Sequence, residues 1–256
     1  MVSNKLVRVY LKNLKIFVIV AMLSTVTMGV RAQSQVECHL MGDIVSNYVW
    51  RGQELGHVSL QPELSVEWKG LSLAAWGSVG LTNHKDDVRE IDLTLTYMTG
   101  GLSFGIVDYW DDGNDSRYFY YKADATGHLF EGFISYDFGP VSASWQTYFA
   151  GNDYQNDENG KRAYSSYFEL SAPFCFATCD WDAKVGLVPW KSGTYEVSGF
   201  SVTNLSFCAT KAIHITKKLK HDKFYVCFCI IPKNVVPLQT KTYQSCTTRS
   251  DKIRSI

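Results

Sequence analysis

The sequence predicts an all-β chain folded as an antiparallel transmembrane β-barrel. Three observations predict it. Segments of about 10 residues alternate apolar and polar side chains with period 2, the length at which a tilted strand crosses a bilayer. The connections between them alternate in kind: Lys69-Gly70, Thr99–Gly101 and Gly139-Pro140 are tight, whereas Thr82–Glu90, Asp111–Ala125 and Gly151–Arg162 are long and charged. Short turns at one rim and long loops at the other are the layout of an outer-membrane barrel, which a soluble sandwich or lipocalin does not require. Past the leader no apolar run is long enough for a spanning helix. A chain of this kind in lipid must pair its backbone groups in a closed sheet.

Residues 1–32 are expected to be a secretory signal. Lys5, Arg8, Lys12 and Lys15 form a basic start, Ile16–Val30 is apolar, and Val30-Arg31-Ala32 offers a cleavage site before Gln33. The run is short for an anchor helix, and no cysteine at the junction suggests a lipoprotein. The barrel domain is expected over 33–231 and a divergent tail over 232–256.

Strand one is read at Gly42–Gly52, with Ile44, Tyr48 and Trp50 opposing Asp43, Asn47 and Arg51. Gln53–Val58 is a short connection. The hairpin Leu60–Leu81 gives strands two and three: Leu60, Leu64, Val66 and Trp68 alternate with Gln61, Glu63, Ser65 and Glu67. After Lys69-Gly70, Leu71, Leu73, Ala75, Val79 and Leu81 resume the apolar parity. Further strands are read at Ile91–Met98, Leu102–Tyr109, His128–Phe138, Val141–Ala150, Ala163–Ala172, Cys179–Val188 and Gly199–Ile215. The last becomes less regular after Asn204, as at a bulge. Lys223–Ile231 offers an eleventh strand.

With the apolar parity outward, the lumen receives Asp43, Asn47, Arg51, Gln61, Glu63, Glu67, Asp92, Glu131, Asp137, Glu169, Asp180, Asp182 and Lys184. Acids outnumber bases, so Arg51 and Lys184 are expected to pair with lumen carboxylates. A narrow barrel would knit these groups into a plug; a wider one would favour cations.

The net charge is zero, and the single basic block is Lys217–His221, which argues against a nucleic-acid partner. Aromatics make up 14% of residues, with 15 Tyr and 7 Trp, a richness that suits interfacial girdles and also a secreted β-sandwich. The seven cysteines show no zinc spacing; Cys175 and Cys179 are close enough in sequence for a loop bridge, with free thiols as the alternative. His84 with Asp86 and Asp87 is the best catalytic candidate, an Asp–His pair in an outer loop; such a loop is ordinarily just solvated. Asp111, Asp112, Asn114 and Asp115, and Asp153, Asn156, Asp157 and Asn159, match no EF-hand spacing. His128 reads as an interfacial residue. No catalytic or metal site and no cofactor is assigned.

From GDIVSNYVWRG through SLQPELSVEWKGLSLAAWGSVGL, and on through FISYDFGPVSASWQTYFAGNDY and DWDAKVGLVPW, the chain resembles the Gcw_chp-type family of uncharacterised outer-membrane proteins. Their hallmark is a S-x-Y-V/F-W/F-R-G segment, here Ser46–Gly52. The resemblance covers Gly42–Ile215. It implies a barrel of about twelve strands in the outer membrane of a Gram-negative bacterium. It implies no established ligand or activity and assigns no functional residue. The departure is at the end. After Lys223–Ile231 the alternation is lost, so the closing strand is missing or altered. A shifted coding frame between about His214 and Pro232 is one explanation and a genuine tail another; translating the other frames would decide. The expected role is structural or porin-like, a narrow pore for small-molecule solutes, with outer-membrane lipid and the barrel-assembly machinery as partners. The alternatives are an outer-membrane hydrolase and a secreted soluble β protein that binds a ligand.

Overall fold

The computed structural model describes residues 36–82, 89–113, 117–122, 125–154, 160–214 and 223–230, with backbone alone for 212–214 and 223–230. The leader at 1–32, the loop with His84, Asp86 and Asp87, and the tail at 232–256 lie outside the described residues. So do Asn114, Asp115, Asn156, Asp157 and Asn159.

The described elements are all β. Eleven strands form one antiparallel sheet: β1 (Val36–Val45), β4 (Ser59–Trp68), β5 (Leu71–Gly80), β6 (Glu90–Thr99), β7 (Leu102–Asp111), β8 (His128–Asp137), β9 (Ser142–Gly151), β10 (Ser166–Phe176), β11 (Cys179–Val188), β12 (Ser201–His214) and β13 (Lys223–Ile230). Each pairs with its neighbour in that order, and β1 and β13 are the edges among the described residues. Two short strands, β2 (Tyr48–Trp50) and β3 (Gln53–Gly56), form a separate hairpin.

The sheet curls around an interior. One cavity is lined by Asp43 of β1, Asp92 of β6, Gln146 of β9, Glu169 of β10, Asp182 of β11 and Ser206 of β12. The parity follows the sequence pattern. On β4, Ser59, Gln61 and Ser65 are buried, while Leu60, Leu64, Val66 and Trp68 are exposed. On β6, Asp92 and Thr96 are buried, while Ile91, Leu93, Leu95 and Tyr97 are exposed. Polar side chains are therefore inside and apolar ones outside, the reverse of a water-soluble core.

Two-residue turns close one rim. Lys69 (φ 47°) and Gly70 (φ 83°) both take positive φ, the type I′ geometry that matches strand twist, and Gly100-Gly101 does the same. The other rim carries the long connections 81–89, 112–127, 152–165 and 189–200.

Four expectations are corrected. Gly42–Gly52 is not one strand. The wall strand is β1, which begins at Val36, and the chain leaves the sheet after Val45 to make the β2–β3 hairpin. Gln53–Val58 is accordingly half of that hairpin. The strand read as ending at Ala172 runs to Phe176 and turns at Ala177-Thr178. Pro173 is tolerated because β10 pairs with β9 only as far as Ser171, so no ladder bond toward β9 is lost there. Of the two alternatives for Cys175 and Cys179, the bridge is not formed: no disulfide joins them. Their turn sets Cys175 opposite Asp180 and Cys179 opposite Phe176, so the two thiols point to opposite faces. The irregularity read after Asn204 falls one residue earlier: Thr203 is the extra residue where β12 slips against Gly186 and Leu187.

Candidate functional site

The site is the hairpin tip inside the curled sheet. Ser46 and Asn47 break the alternation, and the Asn47 amide donates to Glu54 Oε1 across the hairpin base. Trp50 pairs with Gln53, leaving Arg51 (φ 48°) and Gly52 (φ 85°) as a type I′ turn. Gly52 has a second reason to be glycine. A Cβ there would lie 2.0 Å from the carbonyl oxygen of Thr203, the bulged residue of β12.

The turn delivers Arg51 to Glu131 on β8. Nη1 donates to Oε2 at 2.6 Å and Nη2 to Oε1 at 2.7 Å, the two-pronged geometry of a strong pair. The side chains are 11% and 1% exposed, so both charges depend on each other. Arg51 Nη1 also donates to the Tyr195 hydroxyl at 2.6 Å, and the Tyr109 hydroxyl donates to Glu131 at 3.1 Å. Aromatic rings close around the pair. The guanidinium lies 4.2 Å from the Trp50 centroid and 4.8 Å from that of Tyr167, and Trp50 stacks on Tyr195 at 5.9 Å. Tyr148, Tyr167, Val188 and Tyr195 form the buried apolar cluster beside it.

Two long loops place Tyr195. Asp153 is buried; its carboxylate accepts from the Ser165 amide at 2.9 Å and the Ser165 hydroxyl at 2.6 Å. Ser192 Oγ donates to Ser165 Oγ at 2.7 Å and accepts the Tyr195 amide at 3.1 Å. Gln53 donates to the Thr194 carbonyl at 3.0 Å, locking the hairpin to the same loop. Burial pushes the Tyr195 phenol above its ordinary range, against the opposing pull of Arg51, so it stays protonated.

The predicted inward set divides by height. Glu131 and Arg51 meet at the tip. Lys184 Nζ lies 3.2 Å from Asp182 and 3.9 Å from Glu169, so both expected cation pairings are present. Asp182 also accepts from Ser171 at 2.5 Å, and Glu169 from Tyr167 at 2.8 Å. Asp43 and Asp92 line the cavity below the hairpin. Glu63 and Glu67 are half-buried on the inward parity of β4 and do not line it. Arg51 itself comes from the hairpin, not from a wall strand.

Elsewhere, Asp112 is held by Arg89, and no cluster placed to hold a metal occurs among the described residues. His128 is fully buried against the outer face at the long-loop rim, between Asp108 Oδ1 at 2.7 Å and the Tyr118 carbonyl at 2.5 Å, with Tyr121 stacked on it. The sequence pattern sets Tyr167 with Glu169 on the polar parity, opposite Phe168 and Leu170, and the structure buries it there; Tyr109, Tyr148 and Tyr195 are not in the predicted inward set. The signal is present for Tyr109 and Tyr148 too, since both sit on the polar parities of their strands.

What the fold and site define is an antiparallel sheet protein with a polar interior, entered by its own N-terminal hairpin. No family model matches the chain, and no curated protein or solved structure matches it.

Proposed function

We propose that this chain is an outer-membrane β-barrel protein, exported through a cleaved signal, whose lumen is a narrow, acidic pathway for small solutes. The hairpin at Tyr48–Gly56 constricts that pathway. The observation that carries the reading is the inversion of the sheet. Leu73, Ile91, Leu95, Phe104, Ile106 and Ile134 lie exposed on the outer face, while Ser72, Ser78, Asp92, Thr96 and Glu131 are buried within. In water that arrangement forfeits the main driving force of folding; in lipid it is the arrangement required. Exposed aromatics support it at both rims: Trp68, Tyr97, Tyr136 and Phe138 near the tight turns, and Phe119, Tyr164, Trp190 and Phe200 toward the long loops. The resemblance of Gly42–Ile215 to the Gcw_chp-type proteins points the same way. Lipid and the barrel-assembly machinery are then its partners.

Membrane fractions washed with carbonate should retain the protein, and detergent should release a form whose gel migration shifts on boiling. Release by carbonate alone refutes the reading. In planar bilayers the wild-type conductance should be small and cation-preferring. Arg51→Ala should raise it by freeing the hairpin from Glu131.

A further inference from the structure

The cavity beneath the hairpin has a volume of about 870 Å³, within the range of small-molecule sites. Its wall is unbalanced in two independent ways. First, it holds six carboxylates (Asp43, Asp92, Asp137, Glu169, Asp180 and Asp182) against two cations. Both cations are already engaged, Arg51 by Glu131 and Lys184 by Asp182 and Glu169. Second, three of its side-chain oxygens are buried without a hydrogen-bond partner: Asp92 Oδ1, Gln146 Oε1 and Asn204 Oδ1. Asp92 is 9% exposed and Asn204 6%. The Asn204 amide is oriented by its neighbours. Nδ2 donates to the Tyr167 hydroxyl at 3.3 Å and to the Glu169 carboxylate at 3.4 Å, and a carboxylate only accepts, so the oxygen is the free end.

A buried acceptor without a donor is costly, and three lining one cavity, from β6, β9 and β12, favour a ligand that brings several N–H groups. The charge excess requires that ligand to be positive. A bare metal ion fits poorly, because no three acidic or imidazole groups converge on one point among the described residues. Trp76, on the inward parity of β5, adds an aromatic face to the lining. We propose that this cavity binds a small organic cation carrying an ammonium or guanidinium group. Asp92 Oδ1 is its main buried acceptor and Asn204 Oδ1 a second. The inference rests on the concave face being a lumen, as read above, and names the class of solute it selects.

The test is isothermal titration of the detergent-purified full-length protein with agmatine, which carries both head groups. Glucose and glutamate serve as neutral and anionic comparisons. Agmatine should bind saturably at one site, glutamate not at all, and glucose at least tenfold more weakly. Asp92→Asn should weaken agmatine at least tenfold, while Glu67→Gln, inward-facing but outside this cavity, should leave it unchanged. Glucose binding as tight as agmatine, or equal losses from the two variants, overturns the proposal. Should Asp92→Asn fail to fold, the wild-type ranking of the three probes still decides. Heat-shifted migration of the same preparation separates the two readings: a shifting protein that ignores agmatine sinks the ligand alone, whereas carbonate release sinks the barrel.

Discussion

Trp50-Arg51-Gly52 and Trp68-Lys69-Gly70 are one pattern used twice. In both, the cation and the glycine are the centre of a type I′ turn, and the cation lies over the preceding tryptophan, at 4.2 Å for Arg51 and 5.2 Å for Lys69. In both, a glycine Cβ would strike a backbone carbonyl, that of Thr203 or that of Met98. The difference is the solvent around the cation. Lys69 stands exposed at the short-turn rim; Arg51 is buried against Glu131. The same local chemistry is thus a strand connector in one place and an internal anchor in the other. Which residue carries the charge follows from this: a planar fork suits a buried carboxylate, and a hydrated ammonium suits the rim.

The largest contrast should come from removing the two cations. Arg51→Met strands a buried carboxylate and should cost about 3–5 kcal/mol in urea unfolding followed by tryptophan fluorescence. Lys69→Met should fall within about 0.5 kcal/mol of wild type. Equal effects would show that burial does not distinguish the turns. The double variant R51M/E131M should recover about 2 kcal/mol relative to the sum of its singles, since neither charge is left alone; additivity would deny the pairing. Gly52→Ala and Gly70→Ala should each cost more than the backbone strain of about 1–2 kcal/mol, because the turn is common to both and each Cβ would also strike a backbone carbonyl. A harmless Gly70→Ala would break that equivalence. Tyr195→Phe removes a single neutral acceptor from Arg51 and should cost about 1 kcal/mol by the same measurement.

The wall strands were legible because period-2 alternation is written residue by residue, and burial follows it closely on β4 and β6. The rim turns were legible because Lys69-Gly70 and Gly100-Gly101 meet a demand for positive φ. The hairpin was hidden by that same success. Tyr48 and Trp50 alternate with Asn47 and Arg51 as a wall strand would, so a strand turning inward and one staying in the sheet share one pattern. Arg51-Gly52 is equally compatible with a turn and with a strand end, so the pair does not by itself disclose the hairpin. The start of β1 was obscured by Met41, an apolar residue on the polar parity. The pairings of Arg51 and Lys184 followed from charge balance, since a buried cation must find an anion. Which anion each finds depends on its position along the strands and on the inward-turned hairpin, neither of which is written in the charge balance. The Asp153–Ser165–Ser192 network joins two loops that carry no periodic signal at all.

The bulge at Thr203 has a consequence for the order of assembly. Arg51 is 80 residues from Glu131 and 144 from Tyr195, and Gly52 rests on a strand later still in the chain. The hairpin needs only local residues to form, yet every partner that satisfies it is synthesised afterwards. Contacts so distant along the chain are slow to form, because the intervening loop must first be ordered. The motif is therefore made before Glu131, Tyr195 and Thr203, the residues against which it seats. A chain interrupted before β12 would carry the hairpin and the Glu131 and Tyr195 partners of Arg51, but not the Thr203 carbonyl against which Gly52 seats.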